Sequence, residues 1–215
     1  MIRYITLPII IFLSVISLNA QRFTDIGIFG GASMYMGDIN PDRYLYSPSP
    51  AFGGFFRVNI NKRVALRVNG IYANLSGSDE DFPDRVLTSR FPTSFTNSLM
   101  DFNAQVEFNW LPYITGEDQW MNSLYVSGGL GYTIFTGSEN SLTIPFGLGC
   151  KINITDRLSA GLEWSYRKTF KDDLDSVVNP LENTLINNND WYSLIGLFIS
   201  YKFVKFAADC PAYNN

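Results

Sequence analysis

Between Leu142 and Phe170 the chain alternates apolar and polar or very small side chains with a period of two. Leu142, Ile144, Phe146, Leu148, Cys150, Ile152 and Ile154 occupy one parity, and Thr143, Pro145, Gly147, Gly149, Lys151 and Asn153 occupy the other. After Thr155-Asp156 the even positions resume as Leu158, Ala160, Leu162, Trp164 and Tyr166, opposite Ser159, Gly161, Glu163, Ser165 and Arg167. A period of two is the signature of a strand, because successive side chains point to opposite faces of a sheet. Two such runs joined by a two-residue turn predict a hairpin with one wholly apolar face.

The same pattern recurs along the chain. Ile26, Ile28, Ala32, Met34 and Met36 share a face in Thr24–Gly37, and Phe52, Phe56, Val58 and Ile60 do so in Phe52–Ile60. Val64, Leu66, Val68 and Tyr72 follow the turn at Asn61-Lys62. Leu99–Trp110 sets Met100, Phe102, Ala104, Val106, Phe108 and Trp110 against Asp101, Asn103, Gln105, Glu107 and Asn109. Leu124–Phe135 and Trp191–Phe203 complete a set of eight strands. Long polar connections (Asp38–Pro50, Ser76–Ser98, Asp172–Asp190) alternate with minimal ones, as in an outer-membrane barrel with short periplasmic turns and long outer loops. Two connections break the rule: Thr136–Ser141 is short for its side, and Pro112–Asn122 is long for its side.

Alternation alone also fits a soluble barrel of the lipocalin kind, whose apolar face lines a cavity. Its other face would then meet water and carry many Lys and Glu residues. The non-apolar face here carries Gly, Ser, Asn and a few charges, and only 17% of the whole chain is charged, against about 25–35% for an ordinary soluble surface. The apolar face holds no charge before Lys168. A cation at the middle of a lipid face costs about 2–4 kcal/mol, so its exclusion is what a membrane requires. Arg57, Arg67, Lys151, Arg167 and Lys202 share the other face with Asp25, Asp101, Glu107 and Glu163, a set able to pair across a narrow interior. Glu163 and Arg167, four apart on one strand, read as an interior ion pair. Trp110, Tyr132, Tyr166, Trp191 and Tyr201 stand near strand ends, where interfacial girdles belong. The reading is an all-β, eight-stranded antiparallel transmembrane β-barrel of the outer membrane.

Arg3, the apolar run Ile5–Leu18 and the small Ala20 form a cleavable signal peptide over residues 1–20, with Gln21 as the expected mature start. The barrel then occupies 21–203, and 204–215 form a periplasmic tail. A net charge of −4 with no basic cluster argues against nucleic acid. The chain has no histidine, which removes the commonest general base and metal ligand. No catalytic constellation is visible, and no cofactor or metal is expected. The acidic clusters Asp79-Glu80-Asp81 and Asp172-Asp173 lack calcium-loop spacing and read as solvated loop charge. The glycine-rich strings lie inside strands, where close packing in a narrow barrel explains them.

Two cysteines in an exported chain would ordinarily be a disulfide. Cys150 has lipid-face parity on the sixth strand, whereas Cys210 lies beyond the eighth, so an internal bridge is not expected. Cys210 is left either as a thiol for an intermolecular partner or as a lone thiol without consequence.

The segments DIGIFGGASMYMGDINP (Asp25–Pro41), RVALRVNGIYANLSGSD (Arg63–Asp79), DFNAQVEFNWLPY (Asp101–Tyr113), IPFGLGCKINITDRLSAGLEWSYRKTFKDDLD (Ile144–Asp175) and DWYSLIGLFISYKF (Asp190–Phe203) resemble the PorG-type outer-membrane barrels of the type IX secretion system. The resemblance covers nearly the whole mature chain. It implies a non-enzymatic subunit that anchors the periplasmic ring of the PorK-type lipoprotein and the PorN-type ring protein to the outer membrane. In that setting Cys210 and the Pro112–Asn122 turn with its Trp120 are the expected partner contacts. The alternative is a surface-facing barrel whose loops Ser76–Ser98 or Asp172–Asp190 bind a ligand or partner; a third class, an outer-membrane lipid enzyme, rests on fold analogy alone.

Overall fold

Each of the eight alternating runs forms a strand, and the strands close on themselves. The computed structural model describes residues 24–36, 47–78, 94–136, 140–170 and 191–203. The strands are β1 (Thr24–Met36), β2 (Ser49–Asn59), β3 (Val64–Ser78), β4 (Ser94–Asn109), β5 (Asn122–Phe135), β6 (Ser141–Asn153), β7 (Leu158–Thr169) and β8 (Trp191–Lys202). They form a closed antiparallel barrel in sequence order, with β1 also paired to β8 from Asp25↔Lys202 to Met36↔Trp191. Closure leaves no strand edge with unpaired backbone groups, which is the condition for a sheet to cross hydrocarbon. The expected signal peptide, the tail with Cys210, and the acidic clusters of the long loops lie outside the described residues.

The apolar parity faces outward. Ile28, Phe52, Val68, Phe102, Leu130, Leu148 and Leu197 are all exposed, and they form a belt around the barrel. The opposite parity, including Asp25, Arg57, Arg67, Asp101, Glu107, Lys151, Glu163 and Arg167, is buried. Water would invert this arrangement, because burying charge while exposing some two dozen large apolar side chains is unfavourable there. Strands of 11 to 16 residues meet or exceed the roughly 9–11 that a tilted strand needs to span hydrocarbon. Lys168 is the one charged side chain with outward parity among the described strand residues, and it sits over the Trp191 ring at 5.0 Å. The alternation fails near one end of the barrel, where Met34 and Ser193, paired across β1 and β8, are buried despite outward parity.

The belt gives a direct test of the solvent. Leu148→Arg, at the middle of β6 on the outer face, is expected to lower stability in lipid by about 2–4 kcal/mol. Urea titration of the barrel in vesicles measures it. In a water-facing barrel the same change would be nearly neutral.

Two features of the strands differ from the sequence expectation. β3 and β4 run on as a pair to Ser78↔Ser94, so the second long loop is shorter than Ser76–Ser98. Beyond the lipid belt the hydrophobic period disappears, while ladder hydrogen bonds continue to hold the strands. The interior is also less uniformly polar than the alternation suggested. Phe55 and Phe198 meet edge-to-face at 5.5 Å, and Tyr125 joins Phe198 at 6.5 Å. Each ring lies opposite a glycine on the neighbouring strand, in the pairs Gly27↔Phe55, Tyr125↔Gly149 and Gly161↔Phe198. A Cβ at Gly149 would sit 2.7 Å from the Tyr125 ring, and one at Gly161 would overlap the Phe198 ring. Large and missing side chains therefore complement each other across the strands, which is how so narrow a barrel accommodates aromatics.

The two short turns are built alike. At 60–63, the Asn61 side-chain oxygen accepts from the amides of Arg63 and Val64 at 2.8 Å each. At 154–157, Thr155 Oγ1 accepts from Arg157 N at 3.3 Å and Leu158 N at 3.1 Å. In both, a short polar side chain satisfies turn amides that the ladder cannot reach. The rim that carries these turns also carries Thr24 and Phe203, joined by Phe203 N donating to Thr24 O at 3.0 Å.

Candidate functional site

Two features dominate the lower half of the barrel: an ion network across the interior, and a folded turn that seals the short-turn rim. In the network, Glu107 of β4 meets three cations. Lys151 Nζ lies 2.7 Å from Oε2, Arg57 Nη1 lies 3.4 Å from Oε2, and Arg67 Nη1 lies 3.1 Å from Oε1. Arg57 also contacts Asp25 at 2.5 Å, and Arg67 contacts Glu163 at 2.6 Å. Tyr125 OH donates to Glu163 at 2.6 Å, and Asn59 Nδ2 donates to Asp25 at 2.8 Å. The Arg57 guanidinium lies 5.4 Å from the Phe55 ring centre and that of Arg67 lies 5.5 Å from it, so this ring is flanked by two cations.

Interior pairing was legible in the sequence, but its partners were not. Glu163 and Arg167 do not pair; Glu163 bonds Arg67, and Arg167 Nε bonds Asp101 at 3.0 Å. Residues four apart on a strand are about 13 Å apart along it, too far for a direct contact, whereas residues across a narrow barrel are close. Lys202, the fifth interior cation, reaches Gly116 O at 3.5 Å.

The turn between β4 and β5, Pro112–Asn122, was expected to be long for its side and to offer a partner contact, and the alternation said nothing of how it folds. It folds back into the mouth of the barrel. Tyr113, Ile114 and Thr115 are buried. Thr115 Oγ1 donates to Asp25 at 2.9 Å and accepts from Arg57 at 3.3 Å, which ties the turn to the ion network. Asn153, the last residue of β6, fastens it from the other side. Its Oδ1 accepts from Tyr113 OH at 2.6 Å, and its Nδ2 donates to Ile114 O at 2.9 Å and Asp118 O at 3.0 Å. Its own N–H donates to Met121 O at 2.9 Å, and its carbonyl accepts from Trp120 N at 3.0 Å. The physical reason is supply of polar partners: buried carbonyls and hydroxyls of a turn need hydrogen bonds, and the charged mouth provides them. At the surface, Lys62 Nζ bonds Glu117 at 2.6 Å, and that bond raises the lysine pKa.

The tip of this plug presents Trp120. The residue has φ +65°, in the left-handed region that is costly for a side chain with a Cβ, by about 1–3 kcal/mol. Gly116 provides the other left-handed position at φ +67°, where a Cβ would collide with Asp156 O. Trp120 is 64% exposed, with its amide fixed to Asn153. The expected partner residue Trp120 thus stands on the rim, held by a backbone that the plug bonds over-determine. Cys210, the other expected partner residue, lies outside the described residues. Cys150 is a free thiol exposed on the lipid face, between Leu124 of β5 and Leu162 of β7.

Sequence reading missed the plug because its buried residues (Tyr113, Ile114, Thr115) follow no period. The one signal was the length of the connection on a side where turns are minimal.

Among solved structures, the attachment invasion locus protein Ail of Yersinia pestis is similar, with 14% identity over 85% of this chain and 99% of that one, at a TM-score of 0.49. The outer membrane protein OprG from Pseudomonas aeruginosa is similar with 10% identity over 86% and 98%, also at 0.49. Neisserial surface protein A gives 11% over 85% and 97%, at 0.47. No curated protein matches the chain. The closed barrel, its apolar exterior and its charged, filled interior define an outer-membrane β-barrel. Residues 3–212 match the family described as "Domain of unknown function (DUF6089)", and the chain belongs to that family.

Proposed function

We propose that this barrel is a non-enzymatic subunit of the type IX protein secretion machinery, holding a periplasmic ring of a PorK-type lipoprotein and a PorN-type protein to the outer membrane. In this reading the short-turn rim and both ends of the mature chain lie in the periplasm. The observation that carries the proposal is Trp120, an exposed indole on a strained backbone at the tip of a turn pinned to the barrel. Strain of this kind persists where surrounding bonds over-determine it, and it clusters at functional positions. Tryptophan is also the residue type most enriched among interface hot spots. The filled interior adds to the argument. With Arg57, Arg67, Lys151 and Glu107 buried across it and the plug beneath, the barrel has no room to conduct a polypeptide, so a role in secretion is one of attachment.

Membranes solubilised without reductant, with the intact barrel captured by a tag in an outer loop, test the reading. The wild type is expected to bring down the ring proteins and to show a higher-mass species on non-reducing gels. Cys210→Ser should abolish that species. Trp120→Ala should lower the recovered ring protein about tenfold or more, as loss of a hot-spot side chain does, while leaving the barrel folded. Ring association and secretion that survive both Trp120→Ala and deletion of 204–215 would refute the proposal.

A further inference from the structure

Beside the plug, where the lipid belt meets the short-turn rim, the surface forms a shallow depression of about 480 Å³ lined by Gln119, Thr155, Asp156, Arg157 and Tyr201. Three elements build it. The turn between β6 and β7 supplies Thr155, Asp156 and Arg157; the plug supplies Gln119; and β8 supplies Tyr201. Tyr201 has outward parity, pairs with Leu158 and Ile26, and precedes the exposed Phe203 on the same face. One wall is therefore continuous with the apolar belt, and the other belongs to the polar rim. The depression sits at the boundary between hydrocarbon and water.

Its hydrogen-bonding groups are sorted by type. Arg157 Nη1 donates to Tyr201 OH at 3.1 Å, so the phenol oxygen is held as an acceptor and its proton remains to be donated. The rest of the guanidinium fork and the Tyr201 proton together form a donor pair suited to a phosphate. Gln119 Nε2 donates to Ile154 O at 3.3 Å, which leaves its Oε1 as an acceptor. The exposed Asp156 carboxylate makes no ion pair among the described residues, and the neighbouring Arg157 side chain turns to Tyr201. Donors suited to an anion and acceptors suited to an N–H cation thus share one small site. A purely anionic ligand would meet Asp156 unfavourably, and a simple cation would meet Arg157 unfavourably.

We propose that this depression binds the head group of a zwitterionic phospholipid, a phosphoethanolamine, in the leaflet that meets the short-turn rim. Arg157 and Tyr201 hold the phosphate, Asp156 and Gln119 Oε1 accept from the ammonium, and the acyl chains run along the belt past Tyr201 and Ile26. The site rests on the barrel spanning a membrane and is independent of ring attachment, so failure of either proposal leaves the other standing.

Native mass spectrometry of the full-length barrel in mild detergent tests it, with dioleoyl phosphatidylethanolamine, phosphatidylglycerol and phosphatidylcholine offered at equal concentration. The ethanolamine lipid is expected to be retained about tenfold over the glycerol lipid, as one charge-assisted contact would give. It should also exceed the choline lipid, whose quaternary ammonium has no N–H to donate. Arg157→Ala should reduce retention of the ethanolamine lipid about tenfold. Asp156→Ala should abolish the preference over the glycerol lipid while keeping total lipid binding. Lys62→Ala, on the turn between β2 and β3 away from the depression, should change neither, and migration on unheated gels confirms that each variant is folded. Equal retention of the three lipids, or wild-type preference in both site variants, overturns the proposal. So does soluble phosphoethanolamine competing as well as the lipid, because the ligand would then be a free metabolite.

Discussion

Glu107→Ala is expected to be among the most destabilising single changes in the barrel. The carboxylate is fully buried and lies within 3.4 Å of Arg57, Arg67 and Lys151. Removing one partner of a buried pair costs about 3–5 kcal/mol, because the other charge stays in a low dielectric without compensation. Here three cations lose a shared partner, and Lys151 loses the one carboxylate within bonding distance of it among the described residues, so the effect should reach the upper end of that range. Arg57 and Arg67 keep Asp25 and Glu163, which limits the damage to the centre of the network. Urea titration in vesicles, followed by the shift between folded and unfolded forms on unheated gels, measures it. The double change Glu107→Gln with Lys151→Met should recover part of the loss, since it removes the most isolated charge and leaves a hydrogen-bonding side chain for the arginines. Equal stability of Glu107→Ala and wild type would mean that the interior is hydrated enough to screen these charges.

Asn153→Ala should produce the largest local effect, at the plug. One side chain satisfies Tyr113 OH, Ile114 O and Asp118 O, the first two of which belong to buried residues. The change removes three hydrogen bonds from the plug, while Ile114 O keeps the Glu117 amide at 3.2 Å; at about 0.5–1.5 kcal/mol each, the seated plug loses about 1.5–4.5 kcal/mol relative to wild type. The expected result is release of the turn before the barrel itself unfolds. Amide hydrogen exchange should accelerate at Tyr113 and Trp120, whose N–H groups bond Lys62 O and Asn153 O in the seated form. Exchange in the β3–β4 ladder should stay slow. If Trp120 is a partner anchor, the same variant should weaken attachment without altering the indole, because an anchor on a loose turn must be ordered again on binding. Unchanged exchange at Tyr113 would show that Thr115 and its bonds to Asp25 and Arg57 suffice to seat the turn.

The eight strands, their two faces and the membrane exterior were legible because lipid imposes a strict rule. Every second residue through the belt must be apolar, and among the described strand residues Lys168 at the edge is the only charged exception. The turns at Asn61 and Thr155 were legible for a similar reason, since a minimal connection needs a short polar side chain at a fixed place. Cys150 could be assigned to the lipid face by parity alone. What parity cannot carry is distance across the barrel. It placed Glu163 and Arg167 together on the inner face, yet their partners, Arg67 and Asp101, come from strands far away in sequence. Nor could it reveal the aromatic rings filling the interior opposite Gly27, Gly149 and Gly161, because strand register determines which glycine faces which ring.

The sequence by itself therefore determined that this chain crosses a membrane as a barrel, because solvent preference acts on each residue separately and leaves a one-dimensional record. Only the tertiary structure decided that the barrel is closed beneath by a plug and holds Trp120 out from it. Those outcomes depend on which buried polar group can reach which partner once eight strands have closed. Asn153, Thr115 and Asp25 lie in three separate parts of the chain, and closure of the barrel brings them to one mouth.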